Sequence, residues 1–330
     1  MLLQQALDAF LLAKRAECSS EYTALGYKTL LSPLIRFLDN PPIEQITSHD
    51  LRSWIVSLRE QTTLYENHPF HPPTSGQLSE ITIRNSIVRL KTFFRWLFEE
   101  DHIERNPAEK IKIPKKLQNE PPVLEPDQII SLVQTIDVDA ENGARDLAIF
   151  LVLLSSGIRI AELCTLGLSD VDLNTGTLQI FGKGKKKRTV FLFAKTLDAV
   201  KHYVEKCRPE TVHNYLWVGR YGGRLGTAGV TMILKRLKIR AGLADIKFSA
   251  HVLRHTYATL FVENGGDSRI LQLLLGHNDL TTTAIYTHPR RKKMAPYSEQ
   301  FGPLNGSEEG LEEAVAAKLQ AVTSREPMRS

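Results

Sequence analysis

The stretch Ser249–His288 reads SAHVLRHTYATLFVENGGDSRILQLLLGHNDLTTTAIYTH and places polar and aromatic side chains among apolar ones. Its first part repeats apolar residues at helical spacing, which predicts a helix from Ala250 to about Gly265. A second apolar run, Ile270–Leu275, predicts a helix that ends at Gly276. The stretch therefore predicts two buried helices with chemically active side chains near their ends.

Five side chains of this stretch are candidates for a functional site, namely His251, Arg254, His255, His277 and Tyr286. His251 and Arg254 are three positions apart and share a face near the start of the first helix. Unpaired N–H groups and the helix dipole favour an anion there, which suits a phosphate. Each residue taken alone also fits an ordinary structural role, as a core or surface histidine, a surface ion pair or a packed aromatic ring.

Three short motifs in this stretch resemble the catalytic end of the tyrosine recombinases, or phage integrases. They are HVLRH from His251 to His255, LGH ending at His277, and YTH beginning at Tyr286. Both their order and their spacing match that family. The resemblance implies that a tyrosine attacks a DNA phosphate and becomes joined to its 3′ side, while two arginines hold the phosphate.

A fourth motif lies upstream, where SGIRIAELCTL runs from Ser156 to Leu166. It is similar to the first-arginine motif of the family, with Ser156 at a position where Thr is usual. Arg159 and Glu162 are spaced as an ordinary i,i+3 helix pair, which by itself contributes only a few tenths of a kcal/mol, roughly. Because apolar residues surround the pair, we expect Arg159 to be a fixed phosphate-binding fork that Glu162 steadies.

Between these motifs, two segments rich in β-branched and aromatic residues, Thr177–Phe181 and Thr189–Phe193, predict a β-hairpin. Five of the seven residues between them are basic, and the GKG sequence around Lys183 resembles the context of the family's catalytic lysine. Three further lysines, at 185, 186 and 187, fit either phosphate contacts or solvated charges. They leave the assignment to a single lysine open.

The resemblance implies a complete catalytic set: Arg159, Lys183, His251, Arg254, His277 and Tyr286. In this interpretation His251 is the candidate base, Lys183 protonates the leaving 5′ oxygen, and His277 hydrogen-bonds the phosphate. The phosphotyrosine link retains the free energy of the broken bond for rejoining. We therefore expect a DNA recombinase that needs no cofactor, metal or ATP.

Three other functions compete with this hypothesis. His251 and His255 have the spacing of a zinc-hydrolase helix, but Val252 stands where that motif has glutamate, and Arg254 would place a positive charge beside the metal. A catalytically inactive DNA-binding regulator would lack one of the catalytic residues, and none is missing. A type IB topoisomerase shares the chemistry but relaxes DNA without exchanging strands between duplexes.

Upstream of these motifs, four helical patterns predict a small helical N-terminal domain. They cover about residues 2–18, Tyr22–Leu38, Leu51–Leu58 and Ile81–Glu100, whereas Gln61–Gln77 carries three prolines and is predicted to be a loop. In the resembled family such a domain clamps DNA, which makes Arg84 and Lys91 candidate phosphate contacts. The residues that follow are basic and proline-containing, as expected of a linker that meets the DNA backbone.

The domain prediction divides the chain into four parts. Residues 1–108 form a helical, SAM-like core-binding domain, 109–123 a basic linker, 124–300 the catalytic domain, and 301–330 a tail with a helix. Helices of the catalytic domain are also predicted at Pro126–Ile136, Gly143–Leu154, Lys195–Cys207 and Thr227–Ala241. The predicted fold class is mainly α with a small β-hairpin or sheet, which makes the catalytic domain α+β.

The tail helix is predicted from an apolar stripe at Leu311, Val315, Leu319 and Val322. Such a helix is too short to be stable alone, so it must dock. The resemblance implies docking onto a neighbouring protomer of a homotetramer that holds two DNA duplexes. The sequence itself leaves three alternatives open: the helix docks on its own chain, it docks on a neighbouring protomer, or it is a frayed end.

Composition agrees with a DNA-binding globular protein. The 330 residues carry a formal net charge of +5, and 42% of them are hydrophobic. The length predicts two domains, and the net charge fits a polyanionic partner. The family resemblance implies that this partner is double-stranded DNA. The three widely spaced cysteines, the absence of a secretory pattern at the N-terminus and the lack of a membrane-spanning run predict a cytoplasmic protein.

Overall fold

The computed structural model describes residues 1–17, 21–64, 72–115, 122–182, 187–192, 194–219, 221–276, 300 and 310–323. The chain divides into two compact units, Met1–Asn119 and Glu120–Ser330. Among the described residues, no helix is both long and apolar enough to span a membrane. The predicted fold class, mainly α with a small sheet, is confirmed.

The first unit is helical, as predicted. Its described helices are α1 (Leu3–Ala16), α2 (Glu21–Leu38), α3 (Ser48–Glu60) and α4 (Glu80–Glu99). Thr47 caps α3 by accepting a hydrogen bond from the Asp50 amide, and Ser79 caps α4 in the same way through Thr82. The apolar stripes of all four helices meet in one core, which contains Phe10, Trp54, Leu90, Phe93 and Phe94.

The loop prediction for Gln61–Gln77 was incomplete. Two-residue strands β1 (Thr63–Leu64) and β2 (Thr74–Ser75) pair antiparallel within it. The Gly76 amide adds a hydrogen bond of 2.8 Å to the Thr62 carbonyl. The sequence missed this ladder because two residues are too few to produce a detectable alternation of polar and apolar side chains.

The segment after α4 belongs to the core of the first unit. Ala108 and Ile111 are buried there. Lys91 on α4 donates to the carbonyls of Ala108, Glu109 and Ile111 at 3.0, 2.7 and 2.7 Å, so all three ammonium protons are used. The hypothesis that Lys91 contacts phosphate is therefore not supported, because this lysine anchors backbone instead. Arg84 donates one bond, from Nε to the Pro114 carbonyl.

The second unit surrounds one buried helix. Its described helices are α5 (Pro126–Gln134), α6 (Gly143–Ser156), α7 (Ile160–Thr165), α8 (Ala194–His202), α9 (Thr227–Arg240), α10 (Ala250–Glu263), α11 (Ser268–Leu275) and α12 (Leu311–Thr323). Helix α6 is apolar around its circumference and packs against α8 and α10. A π-helical turn, Tyr203–Cys207, extends α8 along the predicted Lys195–Cys207 segment.

A three-stranded antiparallel sheet of order β3-β4-β5 completes this unit. The strands are β3 (Val171–Asp172), β4 (Thr177–Phe181) and β5 (Lys187–Phe191). The predicted β-hairpin is present, but its second strand begins and ends two residues earlier than expected, because Phe181 pairs with Lys187 and Thr177 with Phe191. Part of the basic run therefore belongs to β5. Strand β3 was not predicted because it has only two residues.

Helix α12 packs on α5 and α8 of its own chain. Its four stripe residues, Leu311, Val315, Leu319 and Val322, all join the core of the second unit. Lys318 donates to the Ile136 carbonyl at 2.8 Å. The predicted docking is present in cis, and exchange of this helix between protomers stays a prediction.

Candidate active site

Arg159 is positioned by a sharp reversal between α6 and α7. Gly157 ends α6 in the left-handed conformation, with φ of 59°. A Cβ atom at this position would lie 2.6 Å from Cδ1 of Tyr257, so both conformation and space require glycine. Arg159 follows in extended conformation as the N-terminal flanking residue of α7. The reversal therefore fixes where this arginine leaves the backbone.

Glu162 holds Arg159 by two bonds, as the sequence predicted. The Arg159 backbone N–H donates to Oε2 at 2.8 Å, and Nη1 donates to Oε1 at 3.0 Å. The Glu162 side chain is 7% exposed, whereas that of Arg159 is 45% exposed. The carboxylate is thus internal, while the guanidinium is held at the surface with donors left for a ligand.

A second arginine at this carboxylate was not identified from the sequence. Arg188 on β5 donates from Nη1 to Oε1 of Glu162 at 2.8 Å and from Nη2 to Oε2 at 2.7 Å. Its Nε donates to the Leu274 carbonyl at 3.0 Å. The sequence does contain a pattern that indicates this role, because Arg188 is two positions from Val190 and therefore shares a strand face with a buried residue. An arginine on the inward face of a strand requires an internal partner.

The arginines affect the ionisation of the carboxyl group they surround. Burial opposes the charge on Glu162, but hydrogen bonds from Arg188 and from the Arg159 backbone hold its pKa below the ordinary value of 4.5. The carboxylate is therefore charged at neutral pH. Its single negative charge is shared between two guanidinium groups.

Arg254 lies on α10 and is 5% exposed. Ser249 caps this helix by accepting a hydrogen bond from the Val252 amide. The Arg254 guanidinium donates to the Gly157 carbonyl at 2.5 Å and to the Leu275 carbonyl at 2.9 Å. Burial, followed by repulsion from Arg159, lowers the pKa of Arg254 to about 10, so it remains cationic at neutral pH.

The structure thus brings Arg159 and Arg254 into one site. The carbonyl that Arg254 binds belongs to Gly157, two residues before Arg159 and 97 positions from Arg254 in the chain. Two phosphate-binding candidates from distant segments therefore converge, as expected for a site that holds one anion from two directions.

His251 and His255 form a pair one turn apart on α10. Their Nε2 atoms lie 2.9 Å apart, and His251 is exposed. Because a hydrogen bond at this distance needs one donor and one acceptor, the two ε nitrogens share one proton. Both rings line an open crevice of about 730 Å³ that also includes Lys238, Lys247 and Phe248. The sequence named His255 as a candidate but not as the partner of His251.

Three predicted catalytic residues, Lys183, His277 and Tyr286, lie outside the described residues, so their placement stays a prediction. Tyr257, the other tyrosine near the motifs, is 1% exposed and packs against Phe261 in a small apolar cluster. It is therefore a core residue. Within the described ranges, no group of three or more metal-ligating side chains occurs.

Comparison with known protein families gives a match over most of the chain. The Phage integrase family matches residues 122–293, and the phage integrase N-terminal SAM-like domain matches residues 7–101. The chain belongs to the phage integrase family. Its catalytic motifs and the matched N-terminal domain make it a tyrosine-type site-specific DNA recombinase.

Two tyrosine recombinases are similar in sequence to this chain. Tyrosine recombinase XerC of Alcanivorax borkumensis is 36% identical over 274 residues, which cover 82% of this chain and 84% of the relative. Tyrosine recombinase XerD of Staphylococcus epidermidis is 33% identical over 232 residues, covering 69% and 78%. The resemblance to a Xer-like recombinase seen in the sequence is therefore confirmed.

A solved structure supports the fold of the recombinase. The lambda integrase tetramer bound to a Holliday junction matches with a TM-score of 0.63 at 18% identity, over 87% of this chain and 80% of that one. At this identity the likeness concerns the fold alone. Because the match covers 87% of this chain, it includes residues of both units.

Proposed function

We propose that Tyr286 is the nucleophile that attacks a DNA phosphate and forms a 3′-phosphotyrosine intermediate. The convergence of Arg159 and Arg254 carries this proposal, because it builds a cationic site for one phosphate beside the motifs that lead to Tyr286. The exclusion of Tyr257 by burial removes the nearest competitor. Tyr286 also occupies the position of the nucleophile in the matched motif.

The two arginines would stabilise charge that grows on the non-bridging oxygens during attack. Arg159 is held by one Glu162 oxygen through Nη1 and keeps its remaining donors for the phosphate. Arg254 uses two donors on backbone carbonyls, which leaves three of its five N–H groups. Donors fixed before the reaction need no reorganisation when the charge develops.

Proton transfer is assigned to the remaining residues. A tyrosine hydroxyl has an ordinary pKa of about 10, so it needs a base or a cationic setting to attack. His251 is the proposed base, and its Nε2 lies 2.9 Å from Nε2 of His255, which helps to hold the ring in place. Lys183 is proposed to protonate the leaving 5′ oxygen, and His277 to hydrogen-bond the phosphate. Each step then uses a side chain, with no metal or nucleotide assigned a role.

Duplex DNA is the proposed substrate, contacted by both units. The exposed Lys110, Lys112 and Lys115 lie in the segment after α4, where they suit the sugar-phosphate backbone. We propose the predicted boundaries, 1–108, 109–123, 124–300 and 301–330, as the functional divisions. A cytoplasmic setting suits the free thiols of Cys164 and Cys207.

A homotetramer on two DNA sites is the proposed active assembly. Lambda integrase forms a tetramer on a Holliday junction, and its fold is shared. The apolar stripe of α12 fills a groove between α5 and α8 of its own chain. The same stripe fits the equivalent groove of a neighbouring protomer, so α12 is the proposed exchanged element.

The covalent intermediate tests this function directly. Purified protein is mixed with fragmented genomic DNA of its source organism, denatured, and the DNA attached to protein is sequenced. Tyr286→Phe is expected to abolish attachment while DNA binding stays within about threefold, because only the nucleophilic oxygen is lost. Tyr257→Phe is the matched control and should retain attachment. Covalent product from Tyr286→Phe would reject the assignment.

A further inference from the structure

Arg188 connects three segments that the proposed function does not link. Its own strand begins four residues after Lys183. Two of its nitrogens bind Glu162, which lies 26 positions away, and its Nε binds the Leu274 carbonyl, 86 positions away. Each contacted segment carries or precedes a proposed catalytic residue.

The contact between Arg188 and Leu274 lies at the C-terminal end of α11. Carbonyls in the last turn of a helix have no partner within the helix, and they form the negative end of its dipole. Arg188 binds the Leu274 carbonyl and Arg254 binds the Leu275 carbonyl, so two guanidinium groups satisfy the end of α11. Gly276 then reverses the chain with φ of 63°, and His277 is the next residue.

The Glu162 contact determines how much of the carboxylate is left for Arg159. Each Glu162 oxygen accepts one bond from Arg159 and one from Arg188. Without Arg188, both oxygens would be free to turn toward Arg159 and compete with a phosphate for its donors. With Arg188 in place, the Arg159 guanidinium is oriented but only partly neutralised.

We propose that Arg188 is a positioning residue for DNA cleavage. It fixes Glu162, and through it the guanidinium of Arg159, and its own bond to the Leu274 carbonyl holds Arg188 in place. This inference rests on the proposed function, since it concerns the same reaction. Arg188 acts through its neighbours, with its three donor nitrogens already bonded to protein.

A matched control exists within the same unit. Arg145 is buried, and like the partly buried Arg188 it binds one carboxylate through two nitrogens, at 3.0 and 2.8 Å to Oδ1 of Asp146. Its third nitrogen donates to the Val218 carbonyl at 2.7 Å. Each arginine thus makes two bonds to one carboxylate and one bond to a backbone carbonyl. Within the described part of the chain, the hydrogen bonds of Arg145 go to Asp146 and Val218 and not to Glu162, Arg159 or Arg254. The control therefore separates the loss of an internal ion pair from the loss of site geometry.

The first experiment compares Arg188→Met and Arg145→Met in single-turnover cleavage. The substrate is a nicked duplex carrying a site recovered by covalent capture on the wild-type protein. Arg188→Met is expected to cleave about 10- to 100-fold more slowly with DNA affinity within about threefold, as for loss of a residue that orients a direct ligand. Arg145→Met should cleave within about threefold of wild type at a temperature where both are folded.

A double-mutant cycle with Arg159 tests the route of the effect. If Arg188 acts by holding Arg159 in place, Arg188→Met should add little to the loss caused by Arg159→Ala. If the double variant loses cleavage rate by the product of the two single losses, the proposal is overturned, because Arg188 then acts independently of Arg159. Equal cleavage by Arg188→Met and wild type would overturn it as well.

Arg188→Lys keeps the test decisive if the methionine variant does not fold. Lysine retains the positive charge but cannot bind both Glu162 oxygens and the Leu274 carbonyl in one plane. It is expected to remain about 10-fold or more below wild type, and full activity would reject the geometric role. Failure of the proposed function looks different, because wild-type protein would then form no adduct through Tyr286.

Discussion

The second unit contains two largely buried arginine–carboxylate pairs that look alike and differ in how their carboxylates are bound. Glu162 accepts hydrogen bonds on both oxygens, from Arg188 and Arg159. Asp146 accepts from Arg145 on Oδ1 alone, and its Oδ2 lies 3.9 Å from Arg236. The first pair joins distant segments, whereas the second joins neighbours in the chain.

The consequence is opposite ionisation behaviour. Burial raises the pKa of Asp146 above the ordinary 3.8, and Arg145 only partly offsets this effect. Burial also acts on Glu162, but there the hydrogen bonds prevail and the pKa falls below 4.5. A buried carboxylate is therefore stabilised as an anion only when several fixed donors meet both of its oxygens.

The largest expected difference between the two pairs comes from isosteric amides. Glu162→Gln replaces one accepting oxygen by an NH₂ group that faces arginine donors, and should cost about 3 kcal/mol of unfolding free energy. Asp146→Asn keeps the one oxygen that Arg145 uses, and should cost about 1 kcal/mol or less. Chemical denaturation of the two variants measures both values.

The same variants separate stability from activity. Glu162→Gln should also slow DNA cleavage by about 100-fold, because Arg159 loses its orientation. Asp146→Asn should cleave like wild type. Equal losses of stability in the two variants would break the comparison, since both carboxylates would then be equally important to the fold.

A smaller effect is expected at two glycines with positive φ. A Cβ at Gly276, where φ is 63°, would lie 3.0 Å from Nη1 of Arg188. At Gly222, where φ is 76°, no described atom lies within 4 Å of such a Cβ. Alanine should cost about 1–2 kcal/mol at either position through backbone strain alone.

Only Gly276→Ala should affect the reaction, because it displaces Arg188. We expect cleavage about fivefold slower than wild type for this variant and unchanged for Gly222→Ala. Thermal unfolding and single-turnover cleavage, measured side by side, check both expectations. Slow cleavage by Gly222→Ala would mean that strain by itself disturbs the site.

The smallest effect is a difference in pH dependence. The lowered pKa of Glu162 contributes stability that is present above 4.5 and is lost as pH falls through the folded-state pKa. The raised pKa of Asp146 acts in the opposite direction, since its penalty is present at neutral pH and disappears as pH falls toward 3.8.

Unfolding free energies measured from about pH 7 to about pH 3 can resolve this contrast. The advantage of wild type over Glu162→Gln should shrink on acidification, and its advantage over Asp146→Asn should grow. Parallel curves for the two variants would contradict the assigned pKa directions.

The helices and the first arginine motif were predictable because their signals are local. Apolar patterns located the helices other than α7 to within a few residues, and the three-residue spacing of Arg159 and Glu162 predicted their bond. Long-range partners were not predictable in this way. Nothing near Arg188 in the sequence indicates the Leu274 carbonyl, and nothing near Lys91 indicates the three carbonyls that it binds.

Strand boundaries failed for a related reason. The basic residues at the start of β5 do not have the composition of a strand, so the sequence placed them in the connection. Pairing of Lys187 with Phe181 overrode that local preference. Half of the proposed catalytic set, including Tyr286, was identified from motif order alone and stays a prediction.

The arrangement of bonds around Arg254 and Arg188 also fixes when the site can exist during synthesis. Both arginines bind carbonyls at the end of α11, which is made after every other described part of the site. The local Arg159–Glu162 pair can form early, but contacts across 86 and 97 positions must wait until α11 and α10, respectively, have been made. A ribosome-bound fragment that ends before α11 therefore lacks a finished phosphate site. Such a fragment is therefore expected to be unable to cleave DNA.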